Sequence, residues 1–169
     1  MELFSITNWV HSFEGLLHFT ASIIGLLSGA YLLIAKKGSR AHKVIGRIFG
    51  FSVLIVNISA LFIYDFNQGR ISPFHFLIPV SLFFLIYGWL PMLFAKKTRR
   101  TINRHIIGMT GASLGLWAAG ATEYFVREIV NAEMEKSALI LYSFLISLPF
   151  GILIGLLITI QIKRQKSLG

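Results

Sequence analysis

The stretch SFEGLLHFTASIIGLLSGAYLLIAKKGSRAHKVIGR, residues 12–47, decides the fold. From Ser12 to Ala35 it is an apolar run interrupted only by Glu14, His18 and small or hydroxyl residues, and it stops at Lys36-Lys37-Gly38. At about 1.5 Å of rise per residue, one helix of that length crosses the roughly 30 Å hydrocarbon core of a bilayer. A second apolar run opens at Ala41 straight after the basic turn. Two long apolar segments joined by a short cationic turn form a membrane hairpin.

The same grammar continues along the chain. Apolar runs cover about 12–35, 41–64, 73–95, 104–125 and 137–162, which predicts five transmembrane helices in a single membrane domain over 1–169. A membrane barrel would show short alternating segments instead. Composition agrees: 55% of the 169 residues are hydrophobic and 14% are charged, against about 25% charged in soluble domains. No soluble catalytic domain fits beside five spans, and no nicotinamide or flavin motif is present. The absence of cysteine excludes disulfides, iron–sulfur clusters and thiolate metal sites.

The net charge of +9 would suggest nucleic acid in a soluble protein, but its distribution removes that reading. Lys36, Lys37, Arg40, Lys43 and Arg47 surround the first connection. Lys96, Lys97, Arg99, Arg100 and Arg104 surround the third, and Lys163, Arg164 and Lys166 close the chain. These fall on one side of a five-span arrangement. The other side holds Arg70, Arg127 and Lys136, and all the acids (Glu2, Glu14, Asp65, Glu123, Glu128, Glu133 and Glu135) lie there or in the adjoining half of a span. The positive-inside rule then puts the N-terminus out and the C-terminus in, as in a multi-pass protein of a bacterial cytoplasmic membrane. The N-terminus lacks a basic start and a small-residue cleavage site, so the first span is expected to stay.

Spans one and two resemble spans three and four. Ala35-Lys36-Lys37 leads to His42-Lys43-Val44-Ile45-Gly46, and Ala95-Lys96-Lys97 leads to His105-Ile106-Ile107-Gly108. His18 and His75 lie upstream at similar distances, roughly 25 Å above the inner ends of their helices. Each half reads as outer histidine, descending helix, basic turn, inner histidine, ascending helix. Two such hairpins in parallel predict a four-helix bundle with a pseudo-two-fold axis along the membrane normal, the fifth helix packing outside it.

In that arrangement the histidines pair by depth, His18 with His75 and His42 with His105. Facing imidazoles in a bundle can hold haem iron axially. Small-residue stripes would leave room for a porphyrin: His11, Gly15, His18, Ser22, Gly25 and Gly29 on span one, His42, Gly46 and Gly50 on span two, His105, Gly108, Ala112, Gly115 and Ala119 on span four. The third span shows no such stripe. The same residues also serve close helix packing with no cofactor. Arg47, Arg104 and Lys43 near the inner pair suit haem propionates or topology alone. The leading expectation is therefore a haem b cytochrome for transmembrane electron transfer, with a quinone or redox protein as partner. The alternative is a zinc or other divalent-metal site, or a proton or ion path, built from Glu14, His18, His75 and Glu123. A cofactor-free structural or assembly protein is the third reading.

Four elements carry a family resemblance: Gly15-Leu16-Leu17-His18, Gly38 through Arg47, Ser72-Pro73-Phe74-His75, and Asn103-Arg104-His105-Ile106-Ile107-Gly108-Met109. With them, residues 11–126 resemble a family of bacterial predicted membrane proteins, the fifth span lying outside the resemblance. That family's second element usually reads His-Arg-x-x-Gly-Arg; here Lys43 keeps the charge and loses the planar fork. The pairing of helices two apart is also similar to that of transmembrane b-type cytochromes of the ascorbate-reducible and ferric-reductase kind. That likeness implies two haems, one near each membrane face. His42 and His105 lie nearer the helix ends than that pattern has them.

Overall fold

The computed structural model describes residues 6–64, 72–129 and 136–167. The connection around Asp65–Arg70 and the acids Glu2, Glu133 and Glu135 lie outside the described residues. Five long helices follow in order: α1 (Phe13–Ile34), α2 (Arg40–Ala60), α3 (Leu77–Phe94), α4 (Arg99–Tyr124) and α5 (Lys136–Ser167). No strand occurs among the described residues.

The helix ends follow from local chemistry. Ser12 caps α1 by accepting the Gly15 N–H at 3.1 Å, and Glu14 in the first turn complements the helix dipole. At the far end Lys37 Nζ donates to the carbonyls of Leu32 and Leu33 at 2.5 and 3.2 Å, satisfying groups the helix itself leaves open. Gly38 takes a positive φ of 77°, open to glycine at no steric cost. Ser39 then caps α2 through the His42 N–H at 3.1 Å. One short stretch thus closes one helix, turns the chain and opens the next.

Three boundaries differ from the apolar runs. Helix α2 ends at Ala60 rather than Tyr64, because Leu61 N–H and Phe62 N–H bond back three residues to Ile58 and Ser59, the tighter bonding that closes a helix. The third run opens as a 3₁₀ turn, Pro73–Phe76, before α3 proper, so His75 stands on that turn. Helix α4 starts at Arg99, ahead of Arg104, because Thr98 accepts the Thr101 N–H at 3.2 Å. A π-turn, Phe125–Ile129, extends its other end.

Helix α1 packs on α2 and α4, α3 packs on α4 and α2, and α5 packs on α4. Leu32, Phe49, Val53, Leu85 and Ala112 form the core where α1 to α4 meet. Around it the surface is apolar: Ile34 is 86% and Phe94 82% exposed, as lipid-facing side chains would be. Helices α1, α2, α3 (with its 3₁₀ lead-in) and α5 are long and apolar enough to cross a membrane. Helix α4, 26 residues long, is not among them. Its buried positions are Thr101, Gly108, Thr110, Gly111, Ala112, Ser113, Leu114 and Thr122. All but Leu114 are small or hydroxyl residues, and they hold down the hydropathy of a helix that packs on α1, α3 and α5.

Candidate functional site

The halves of the bundle differ. Toward the Glu123 end the helices enclose a cavity of about 610 Å³, within the range of ligand pockets. Its walls are mostly apolar, and His18, Asn57, Ser72, His75, Ser81 and Glu123 supply polar groups.

His18 stands on α1 and reaches α2. Its Nδ1 lies 3.1 Å from Val56 O and 3.2 Å from Ser59 Oγ. The Ser59 hydroxyl spends its own proton on Ile55 O at 2.7 Å, so both neighbours of Nδ1 act as acceptors. The proton therefore sits on Nδ1, and Nε2 carries the lone pair. His75 has the opposite assignment. Its Nδ1 accepts the backbone N–H of Ser72 at 3.2 Å, which places the proton on Nε2, and that atom is buried with no partner. Its ring stacks on Tyr64 with centroids 5.1 Å apart. One cavity thus presents an imidazole lone pair from α1 and an unsatisfied imidazole N–H from the lead-in to α3.

Other residues complete this end. Asn57, 3% exposed, donates to Val53 O at 2.7 Å and to Ser81 Oγ at 3.0 Å, tying α2 to α3. Glu123 is held by Arg127 at 2.9 Å, one turn on. Trp9 donates to Glu128 at 2.6 Å, packs against Phe19 and Tyr124, and so lays the chain before α1 over the cavity wall. Arg127 lies above the Trp9 ring at 5.3 Å. From the sequence Asn57 has no clear assignment, Trp9 fits an interface belt or core packing, Arg127 counts only as an outer-side charge, and Ser81 is not singled out. An asparagine inside an apolar run was the one signal that pointed to any of them.

Glu14 is exposed in the first turn of α1 and His11 is exposed ahead of it. Among the described residues no three of His, Asp and Glu gather closely enough to hold a metal ion, so Glu14, His18, His75 and Glu123 do not assemble. The reason is local: Glu14 serves the helix end, and Glu123 is engaged by Arg127.

At the basic end His42 of α2 and His105 of α4 come together edge to face, ring centroids 6.2 Å apart. His105 Nδ1 donates to Gly88 O at 2.9 Å, again leaving Nε2 with the lone pair. His42 Nδ1 is buried without a partner. Partial burial pulls the nearby Lys37 ammonium below the usual lysine range. Arg47 is exposed on α2, while Arg104 lies on the Tyr87 ring at 4.7 Å.

Most of the small residues serve packing. A methyl at Gly50 would meet Trp89 at 2.7 Å, one at Gly29 would meet Ser113 and Phe49, and one at Gly111 would meet Phe84. Gly115 meets nothing within 4 Å and borders the cavity. The closest approach involves the helix without a stripe: a methyl at Gly108 on α4 would fall against the backbone of Gly88 and Phe84, and one at Gly88 on α3 would lie 2.7 Å from the backbone of Gly108 and Met109.

A family model described as "Predicted membrane protein (DUF2306)" matches residues 15–159. The chain belongs to that family. The match runs from the start of α1 through most of α5, so the resemblance does not stop near residue 126, and the helix packed on α4 is part of the shared architecture. No curated protein and no solved structure matches the chain. Family membership with four apolar helices makes this a multi-pass membrane protein.

Proposed function

We propose that the protein is a small b-type membrane cytochrome, with haem in the Glu123-end cavity and His18 as its anchoring ligand. The observation that carries this reading is His18 itself. It stands on the wall of a mostly apolar cavity of about 610 Å³, and its Nδ1 proton is committed to Val56 O and Ser59 Oγ. Iron-binding and zinc-binding histidines are held this way, one ring nitrogen hydrogen-bonded to orient the ring and the other left free to bind. When bound, haem would supply a one-electron carrier; the chain would hold the ring, exclude water and fix the tautomer.

The basic-end pair extends the reading. His42 and His105, ring centroids 6.2 Å apart, would be the residues to hold a second haem there. Seating that haem would require the packed helices to part; with it, the two would carry electrons along the membrane normal, with a quinone or redox protein to load or unload them. The positive-inside distribution of charge supports placing the basic end at the cytoplasmic face.

A second reading rests on His75. Ligation through its Nε2 requires giving up the Ser72 N–H, whereas the present tautomer offers Nε2–H to an acceptor. A lipophilic carbonyl compound of quinone type would take that proton donor on one side and face the His18 lone pair on the other.

The test is the absorption spectrum of the full chain, purified in mild detergent after haem-supplemented expression, before and after dithionite. A sharp reduced α-band is expected, lost from the cavity site in His18→Ala. A featureless spectrum from folded, haem-replete protein sinks the cytochrome reading and leaves the carbonyl-ligand reading, checked by ubiquinone binding to wild type and His75→Ala.

A further inference from the structure

A second concave feature lies outside the cavity, on the α3–α4 pair at the basic end. It is a cleft of about 640 Å³ lined by Tyr87, Arg99, Arg100, Asn103, Arg104 and Ile107. We propose that this cleft binds the phosphodiester head group of an anionic phospholipid from the surrounding leaflet.

Charge is the first argument. Three guanidinium groups line one cleft, and no carboxylate lines it. Glu123 of the same helix lies about 28 to 36 Å from the three arginines along the axis, more than three Debye lengths at physiological salt. The second argument is preorganisation. Arg104 lies over the Tyr87 ring at 4.7 Å, which holds its planar fork in place. Its Nε is buried with no partner, as is Asn103 Oδ1 beside it. A shift of either side chain toward the cleft would offer the first to a phosphate oxygen and the second to a head-group hydroxyl, as in phosphatidylglycerol. Location is the third. The cleft lies between α3 and the first turns of α4, with Tyr87 and Ile107 as its apolar lining beside the arginines. Basic pockets between membrane helices at the cytoplasmic face commonly take such head groups. Arg99 and Arg100 are exposed, as Arg40, Lys43 and Arg47 of the α1–α2 hairpin are, and the half-buried, ring-stacked Arg104 is what sets the cleft apart.

The experiment is native mass spectrometry of the full chain released from vesicles of mixed phosphatidylglycerol and phosphatidylcholine. Wild type is expected to retain phosphatidylglycerol selectively. At about five-fold per basic residue, R99Q/R100Q/R104Q should lower that preference on the order of a hundredfold. R104K keeps the charge and loses the stacked fork, and should lower it several-fold; it also stands in if the triple variant does not fold by circular dichroism and gel filtration. R40Q/K43Q/R47Q should leave the preference in place. Equal retention of both lipids, an equal loss in the α1–α2 variant, or unchanged retention in R104K overturns the proposal. Displacement of the lipid by millimolar inorganic phosphate would show a site for free anion and overturn the lipid assignment.

Discussion

Replacing Gly88 by alanine tests the tightest contact in the bundle. The added methyl would lie 2.7 Å from Gly108 Cα and Met109 N and 2.8 Å from Gly108 C. Non-bonded carbons rest at about 3.5–4.0 Å, so α3 and α4 must part by roughly 1 Å along that line. The obstructing atoms are backbone, and no side-chain rotation relieves them. Overpacking of this kind costs about 1–3 kcal/mol. Alanine's better helix propensity returns about 1 kcal/mol. Parting the helices also stretches the 2.9 Å bond from His105 to Gly88 O, which contributes about 1 kcal/mol. The net loss is about 1–3 kcal/mol, or a fall in Tm of roughly 3–10 °C for a chain of this size. Gly46 and Gly115 are the controls, since a methyl at either meets nothing within 4 Å. Alanine there should be neutral or stabilising by up to about 1 kcal/mol. Circular-dichroism melts of the three variants in one detergent give the order. If Gly88→Ala melts no lower than Gly46→Ala, the backbone-to-backbone approach of α3 and α4 is refuted.

Asn57→Leu removes the bridge to Ser81 and leaves that hydroxyl without its donor, so thermal stability should fall by about 1–3 kcal/mol; an unchanged melt would remove Asn57 from the α2–α3 link. Nitrogen-15 NMR of the histidines should show the Nδ1–H tautomer for His18 and His105 and the Nε2–H tautomer for His75, and finding His18 with Nε2–H would undo the ligand argument. The chain has no native cysteine, so single cysteines report sidedness cleanly. Ser39→Cys and Lys97→Cys should react with an impermeant maleimide from the cytoplasmic side and Ile129→Cys from the opposite one. Labelling of all three from one side would contradict the bundle's through-membrane course.

Helix existence was legible because apolar length and basic turns are one-dimensional signals. Lys36 to Ser39 spell out a cap, a left-handed glycine and a second cap. Helix boundaries were less so. Thr98 opens α4 ahead of the apolar run because a cap is chosen by hydrogen bonding, not by hydropathy, and the back-bonds of Leu61 and Phe62 end α2 while the sequence is still apolar. Histidine positions could be read relative to the turns, but their tautomers could not. His18 depends on Ser59, far along the chain, and His75 on a backbone N–H beside it. The parallel between the two halves therefore stops short of the hydrogen bonds: His18 and His105 each reach a neighbouring helix, while His75 bonds within its own turn. Gly88 was invisible because its partner, Gly108, belongs to another helix, and a stripe search on α3 alone finds no period.

The contrast between the packed and hollow halves of the bundle has a mechanical consequence. Around Gly50, Gly88 and Gly108 the helices interlock with atoms at contact distance, a region of low compressibility. Toward Trp9 and Glu123 they surround empty volume. Rods pinned along one half deflect most at the other, so α1 to α4 can splay around the cavity without changing register at the pinned half. Hydrostatic pressure, which acts on internal voids, should shift signals from Trp9 and Tyr124 well before those from Trp89, grading the molecule from a soft mouth to a rigid root.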